Sequence, residues 1–531
     1  MGALLARLGL PSLAGWIWLG VFLAGTLGPE AASFVSGDGD LALHLLLGDL
    51  VRESGWVLAT EPTTFTASDR PFVAHEWLSE VIFSGLHELF GLHGPLMAVA
   101  ALLATTLVVI LRRCRRDGAS AWPSVLAVLG ATLVAHNHLI ARPHVFTWLL
   151  ATLWWLRLED LHKGRLSLRR FTLVALPMLV LWTNLHGGFV TAFFLLGLFG
   201  LGALAEAVTA EPTDRGSALH RFFTLVGLGV AGLAVSGINP FGFALHLHIL
   251  GFMSTPAIVD HVAEFVSPDF HDPAEKLFLV WALGVFSLLI AGRRRPAAWE
   301  WTLVLGLFTQ ALVAVRGEPL FAFLTAPLVA KRLESWLQDL AGSPSWAGSA
   351  ARAVLASSAR LGASDERAGG IVTVPAAAGL GVALVATGLV APLQFDPQYQ
   401  PAGAVQFVRR NAELLEGRMF NHYSWGGYLA YELYPTRRTF INSFNDHYGP
   451  ELFAEYRRVE MLSPDWREIL ERHEIDWVLT RTRSVLNRAL VDEGVWRQVY
   501  SDDLATILVR TPLVAELEPR EVPSSESPPG V

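Results

Sequence analysis

The chain has 531 residues, of which 52% are hydrophobic and only 17% are charged, and its mean hydropathy is +0.41. Soluble domains carry about 25% charged residues, so this composition excludes an ordinary soluble enzyme. The formal net charge of −8 indicates little about partners, because acidic and basic residues are segregated along the chain. A single cysteine, Cys114, excludes an intrachain disulfide and any Cys-based zinc site.

Apolar runs long enough to cross about 30 Å of hydrocarbon recur through the first three quarters of the chain. We read the first of them as a retained span, because it is too long for the apolar core of a signal peptide. The runs predict about eleven transmembrane helices. These lie near 13–34, 94–111, 121–136, 143–158, 171–186, 188–207, 222–238, 276–292, 299–315, 319–335 and 371–391.

The charge pattern predicts the orientation of these helices. Lys and Arg residues concentrate in alternate loops, such as those around 112–116, 163–170 and 293–295. Cytoplasmic loops carry such an excess, so we expect the N-terminus in the cytoplasm. An odd number of spans then places the C-terminal part outside the cytoplasmic (inner) membrane.

The composition changes after Pro392, where charged residues return and short alternating runs at 438–442 and 476–480 indicate strands. We therefore predict a mainly α membrane protein followed by a small extracytoplasmic α/β domain. Residues 1–391 would form the polytopic transmembrane domain, with a long first outer loop over 35–93. The small domain would cover 392–515, and 516–531 would be a disordered tail. Residues 341–370 read as a flexible cytoplasmic linker.

Ionisable residues are scarce in the middle of the predicted spans and cluster at their outer ends. The first outer loop begins with Asp38 and Asp40, and an amphipathic helix from Leu41 places Asp40 and His44 one turn apart. Two carboxylates and an imidazole suit a divalent cation or a general base. In the alternative interpretation Asp40 only caps the helix.

Further along the same loop, His75 and Glu76 precede a second amphipathic run that ends near Phe90. A loop of this length with two short helices is far longer than a tether needs. We therefore consider His75 and Glu76 candidates for contact with a substrate.

The second outer loop contains His136, His138 and His144 together with Arg142. An arginine at the outer end of a span is suited to a lipid-linked phosphate, although ordinary headgroups offer it the same contact. The histidines suit either metal ligation or the simple capping of span ends.

Later outer segments add Glu264 and Arg316, and the small domain adds Trp425-Gly-Gly-Tyr428. Arg316 suits an anion or a salt bridge to a loop acid. The glycines between aromatic residues suit either a surface that receives a peptide or sugar, or the core of the domain.

Taken together, these motifs resemble the GT-C superfamily of membrane glycosyltransferases, especially the catalytic subunits of oligosaccharyltransferases. Asp38-Gly39-Asp40, followed by His44 and Gly48, is similar to the first acidic motif of that family and its following helix. Arg316 with the apolar residues after it resembles the segment beyond the last catalytic loop. Glu264 is similar to the mobile-loop glutamate, and Trp425 to Tyr428 resembles the motif that reads the acceptor. The second outer loop departs from the family, since it offers histidines in place of Asp-x-Asp.

The resemblance implies inverting transfer of a sugar from a polyprenyl-phosphate-linked donor to a protein, lipid or glycan acceptor at the outer membrane face. Asp40 would be the base or a metal ligand, supported by Asp38 and His44, and Arg142 or Arg316 would hold the departing phosphate. Acceptor contacts would come from His75, Glu76, Glu264, Trp425 and Tyr428. The metal candidates are Asp38, Asp40, His136 and His138, with Mn²⁺, Mg²⁺ or no metal as open alternatives.

Two other functional classes remain. A non-catalytic assembly protein or flippase for a lipid-linked glycan needs phosphate-binding arginines but no general base. A small-solute transporter normally places ionisable residues inside its spans, and their scarcity here argues against that class. Membrane lipids are expected partners in every case, and nucleic acid is not.

Overall fold

A computed structural model describes residues 7–37, 39–68, 70–255, 262–291 and 295–511. The described chain is mostly helical, with a small mixed sheet near its C-terminus. It divides into two compact units. The helical unit contains Met1–Thr60 and Pro71–Asp396, and the C-terminal unit contains Glu61–Arg70 and Pro397–Val531. Ten residues of the predicted first outer loop therefore belong to the C-terminal unit, a long-range association that the local sequence pattern did not indicate.

The helical unit consists of α-helices joined by short loops and 3₁₀ turns. In chain order its helices are α1 (Leu13–Leu27), α2 (Ala31–Ser36), α3 (Asp40–Ser54), α4 (Trp77–Phe90), α5 (His93–Arg116), α6 (Ala121–Ala135), α7 (His144–His162), α8 (Leu168–Leu185), α9 (Val190–Thr209), α10 (Pro212–Ser236), α11 (Ala244–Met253), α12 (Glu275–Ala291), α13 (Ala298–Val313), α14 (Glu318–Ala341), α15 (Trp346–Asp365) and α16 (Thr373–Ala386).

The prediction of about eleven spans is wrong as a count of clearly apolar membrane helices. Within the described residues, four helical stretches are long and apolar enough to cross a membrane. They are Arg7–Leu27, His93–Arg116, Gly187–Thr209 and Pro212–Ser236. Helices α6, α13 and α16 are apolar but only 15, 16 and 14 residues long, whereas a span needs about 20. The four long apolar helices are those of a membrane protein.

The first outer loop forms the two amphipathic helices that the sequence predicts, α3 and α4. Gly39 precedes α3 with a φ of 78°, a left-handed conformation that glycine adopts without strain. Gly48 lies where the two helices approach most closely, since a Cβ on it would lie 2.2 Å from the carbonyl oxygen of Glu80. This close approach brings His44 of α3 against Glu80 of α4.

The prediction of a flexible linker over 341–370 is wrong, because most of this segment forms α15. Ser345 caps the helix by accepting a hydrogen bond from the backbone N–H of Gly348. Many of its residues are alanine, which has the highest helix propensity of all residues. The small residues that suggested a linker therefore favour a helix.

The C-terminal unit contains a four-stranded sheet with the order β1-β2-β4-β3. Its strands are β1 (Arg418–Asn421), β2 (Ile475–Arg481), β3 (Trp496–Ser501) and β4 (Ala505–Arg510). Strand β1 pairs in parallel with β2, and the other two pairings are antiparallel. Helices α17 (Ala402–Arg410), α18 (Gly426–Leu433), α19 (Asn445–Glu460), α20 (Trp466–Arg472) and α21 (Val485–Asp492) complete the unit. Both the α/β character and the strand at 476–480 match the sequence prediction.

The strand predicted at 438–442 does not form. Thr439 makes an isolated bridge to Thr64, and the backbone N–H of Phe440 donates to the side-chain oxygen of Asn421, 2.8 Å away. The side chain of Asn421 therefore occupies a hydrogen-bonding group that a strand neighbour would otherwise use.

Candidate functional site

Asp40, Arg142 and Glu264 come from three separate segments of the helical unit, all predicted to be outer ones, and form one group, which we call the guanidinium cluster. Arg142 Nη2 lies 2.5 Å from Asp40 Oδ2, and Nη1 lies 3.4 Å from Glu264 Oε1. The backbone N–H of Ala141 donates to the carbonyl of Phe34 at 2.8 Å, which fixes the second outer loop against α2. One guanidinium thus holds two carboxylates.

Asp40 does not cap α3 with its side chain. Gly39 is the capping residue and Asp40 is the first residue within the helix. The carboxylate of Asp40 instead contacts Arg142 and also lies in the first helical turn, where a negative charge is favoured. Asp38 lies outside the described residues.

Two arginines determine the ionisation of Glu264. Burial alone would raise the pKa of its carboxyl, but the positive charges of Arg316 and Arg142 outweigh burial and lower the pKa to about 2. The guanidinium of Arg316 also lies over the ring of Phe265, 4.5 Å from its centroid. At neutral pH this end of the bundle therefore holds an ionised glutamate and two arginines.

The structure describes three of the four predicted metal ligands, Asp40, His136 and His138. Burial, with the charges of Arg316 and Arg142, lowers the pKa of His138 to about 4, against the opposing charge of Glu264. His136 is exposed. Within the ranges that the structure describes, Asp40, His136 and His138 do not form a group of three donor atoms close enough to share an ion.

His44, Glu76, Glu80 and His186 form a second buried group, which we call the imidazole cluster. His44 Nδ1 lies 3.2 Å from Glu80 Oε1, and His44 Nε2 lies 3.5 Å from Glu76 Oε2. Glu76 Oε1 lies 3.1 Å from His186 Nε2. The imidazole of His44 is therefore placed between two carboxylates.

Burial and the contacts within the cluster together raise the pKa values of His44 and Glu80. Burial lowers the pKa of His44, but the hydrogen bond to Glu80 and the charge of Glu76 outweigh it, so that the net shift is upward. Burial raises the pKa of Glu80 more strongly than His44 lowers it. Carboxylates in such a site need a nearby positive charge or a bound proton.

Hydrogen bonds determine the tautomer of His186. The backbone N–H of Gly188 donates to His186 Nδ1 at 2.8 Å, and Thr147 Oγ1 lies 2.9 Å from the same nitrogen. Trp182 Nε1 donates to Thr147 Oγ1 at 2.9 Å. Since Nδ1 is an acceptor, the proton of a neutral imidazole lies on Nε2. His186 therefore donates to Glu76 and orients its carboxylate.

The residues predicted to contact an acceptor lie in different parts of the molecule. His75 Nε2 is 3.8 Å from Glu76 Oε1, beside the imidazole cluster, and Glu264 belongs to the guanidinium cluster. Trp425 and Tyr428 lie in the interior of the C-terminal unit, where Trp425 Nε1 donates to the carbonyl of Tyr399 at 3.0 Å. Their position is that of core residues, and an acceptor role for them stays a prediction.

The sequence pattern singled out neither Glu80 nor Thr147. Glu80 follows Glu76 by four residues, and side chains at this spacing share a helix face, so the pair could have been found. Thr147 gives no such signal, because its role depends on two residues that are distant in sequence, Trp182 and His186.

No family model matches the chain, and no curated protein matches it. Among solved structures, it is similar to the oligosaccharyltransferase of Archaeoglobus fulgidus in its apo form, with 12% identity, a TM-score of 0.54 and coverage of 88% of this chain and 69% of that one. The same enzyme tethered to an acceptor peptide with an NVT sequon gives 14% identity, a TM-score of 0.54 and coverage of 88% and 68%. At these identities the likeness shows the fold alone, and that fold agrees with the GT-C resemblance of the sequence.

Proposed function

We propose that the protein is an integral membrane glycosyltransferase of the GT-C type, which transfers a sugar from a polyprenyl-phosphate-linked donor to an acceptor. The reaction would occur at the outer face of the cytoplasmic membrane, with the N-terminus in the cytoplasm. The observation that carries the proposal is the guanidinium cluster, in which Arg142 pairs with both Asp40 and Glu264. The fold likeness to a glycosyltransferase supports it.

In this mechanism Asp40 accepts the proton of the acceptor's nucleophilic group, which attacks the anomeric carbon. The bond between that carbon and the phosphate oxygen breaks, and the electron pair leaves with the phosphate. Arg142 would release Asp40 and, with Arg316, stabilise the charge that develops on the departing phosphate. The exchange of partner by Arg142 both frees the base and binds the leaving group.

A metal ion is one of the alternatives that the sequence leaves open, with Asp38, Asp40, His136 and His138 as its predicted ligands. Asp40 faces a guanidinium at 2.5 Å, and the described residues do not bring it together with His136 and His138. These residues do not fit a metal site as they stand, so no step of the mechanism depends on one. Asp38 stays a predicted supporting residue.

The test compares wild type with Asp40→Asn in purified protein supplied with polyprenyl-phosphate sugars and acceptor-containing membrane extracts. Loss of a general base lowers rates by about 10²- to 10⁴-fold, so transfer should fall by that factor. Glu53→Gln, which changes an exposed carboxylate on the same helix, is the control and should retain wild-type transfer. Equal transfer by wild type and Asp40→Asn contradicts the proposal.

A non-catalytic assembly protein or flippase is the second candidate. It is favoured by one observation, namely that Arg142 already neutralises Asp40. Under that function the donor would bind and cross the membrane without sugar transfer, and Asp40→Asn would be tolerated. A donor translocation assay in proteoliposomes separates the two functions.

A further inference from the structure

We propose that His44, Glu76 and Glu80 bind a divalent transition-metal ion, for which Zn²⁺ is the best match. This site is distinct from the guanidinium cluster, and the inference does not depend on glycosyl transfer. All three ligands belong to the helical unit, with His44 on α3, Glu80 on α4 and Glu76 directly before α4.

The spacing of the donor atoms fits an ion. One donor atom from each of the three residues lies within 4.8 Å of the other two. Adjacent ligands of a four-coordinate Zn²⁺ with bonds of about 2.0–2.1 Å lie about 3.3 Å apart. His44 Nδ1 lies 3.2 Å from Glu80 Oε1, and His44 Nε2 lies 3.5 Å from Glu76 Oε2. Because a single ring nitrogen ligates the ion, the carboxylate that faces the other nitrogen has to turn toward the ion when it binds.

A buried carboxylate oxygen at the site has no hydrogen-bond partner. Glu80 is 1% exposed, and its Oε2 is a buried atom without a partner in the described part of the chain. Buried polar atoms are almost always paired, and an unpaired carboxylate oxygen is especially costly. A cation beside Glu80 satisfies this oxygen.

The charge of the site also matches a divalent ion. Two carboxylates and a neutral imidazole carry a total charge of −2, which a divalent cation cancels. Imidazole favours transition metals over Mg²⁺ and Ca²⁺, whereas carboxylates accept either group. A ligand set of one His and two Glu therefore selects Zn²⁺ or Mn²⁺ before Mg²⁺.

His186 supplies the outer hydrogen bond that ligating groups commonly have. Its Nδ1 accepts from Gly188, so Nε2 carries the proton and cannot ligate the ion. It donates instead to Glu76 Oε1, which leaves Oε2 facing His44. Such outer hydrogen bonds orient metal ligands, and their loss lowers affinity by about 10- to 100-fold. The bound ion would fix α3 to α4 in the first outer loop.

The experiment measures bound metal in full-length protein that has been stripped with EDTA and dialysed against Zn²⁺, with a parallel Mg²⁺ sample. We expect about one Zn²⁺ per chain by mass spectrometry, little Mg²⁺, and a Co²⁺ derivative with visible d–d absorption. Glu80→Gln and His44→Gln should bind at least tenfold more weakly. Glu53→Gln and Glu88→Gln, exposed positions on the same two helices, should bind like wild type.

His186→Ala removes the outer hydrogen bond to Glu76 without touching a ligand and should weaken Zn²⁺ binding by about 10- to 100-fold. If Glu80→Gln fails to fold, Glu76→Asp keeps the charge but withdraws the carboxylate, and should weaken Co²⁺ binding and alter its spectrum. Folded wild type that binds none of these ions, or Glu80→Gln that binds like wild type, overturns the proposal. Asp40→Asn should keep the metal while losing transfer, so failure of either proposal is recognised separately.

Discussion

Replacing Arg142 with glutamine tests the guanidinium cluster directly. The change removes the cation that holds Asp40 and Glu264 while keeping a polar side chain of moderate length. Both carboxylates then lose a close positive partner. We expect lower stability and weaker binding of a polyprenyl phosphate, because one side chain serves both purposes.

The exposure of the three side chains determines the size of the effect on stability. Arg142 is 20% exposed, Asp40 13% and Glu264 35%. Breaking a fully buried ion pair costs about 3–5 kcal/mol, and an exposed pair contributes only about 0–1 kcal/mol. These partly buried groups lie between the limits, so Arg142→Gln should lower the free energy of unfolding by about 1–3 kcal/mol.

The effect on ligand binding follows from the hydrogen bonds between guanidinium and phosphate. Hydrogen bonds to charged groups contribute about 1.5–3 kcal/mol, so affinity for undecaprenyl phosphate should fall by about 10- to 150-fold. Arg142→Lys should restore only part of it, because an ammonium is a point charge without the planar fork.

The assay is thermal unfolding in detergent with and without undecaprenyl phosphate, since a ligand that binds the folded state raises its stability. Arg169→Gln, an exposed arginine at the start of α8, is the control. Combining Arg142→Gln with Asp40→Asn should show coupling above about 0.5 kcal/mol. Additive effects of the two changes, or unchanged phosphate binding in Arg142→Gln, would refute the reasoning.

Three further changes test other parts of the structure. Because the pKa of Glu264 is lowered to about 2, its ionised form stabilises the fold above about pH 4.5. This contribution is lost as the pH falls toward 2. Unfolding of Glu264→Gln in detergent should therefore lack that part of the pH dependence. Gly48→Ala should lower the free energy of unfolding by about 1–3 kcal/mol or more in a thermal melt, because its Cβ would meet the carbonyl of Glu80. Gly85→Ala on α4 has open space around the new Cβ and should be tolerated. Glu159→Gln should lower the free energy of unfolding by about 1–3 kcal/mol, because Glu159, 4% exposed, pairs with the buried Arg113; an unchanged melting temperature would contradict this.

The local periodicity of apolar and polar residues was enough to predict some of the helices and strands. The amphipathic pattern after Leu41 gave α3, and the alternation at 476–480 gave β2. The segment at 438–442 has a similar alternation but forms no strand, because the side chain of Asn421 binds the N–H of Phe440. Pairing between distant segments decides such cases, and a single sequence does not contain that information.

The residues of the guanidinium cluster could be predicted from the sequence, whereas their contacts could not. The residue types at the outer ends of the helices pointed to Asp40, Arg142 and Glu264 as functional candidates, and the structure places them together. Their pairing was not predictable, because Arg142 reaches Asp40 only once the second outer loop is fixed against α2 through Ala141 and Phe34.

Helix α3 connects the guanidinium cluster to the imidazole cluster. Asp40 and His44 are one turn apart, and from sequence they suggested a single catalytic or metal site. The structure separates them, since Asp40 pairs with a guanidinium and His44 lies between two carboxylates. An acid beside an arginine suits the exchange of a proton and a phosphate, whereas a buried imidazole between glutamates suits a tightly held cation. A rigidly fixed α3 would hold Asp40 in place against Arg142, so the proposed metal would position the proposed base without contacting it.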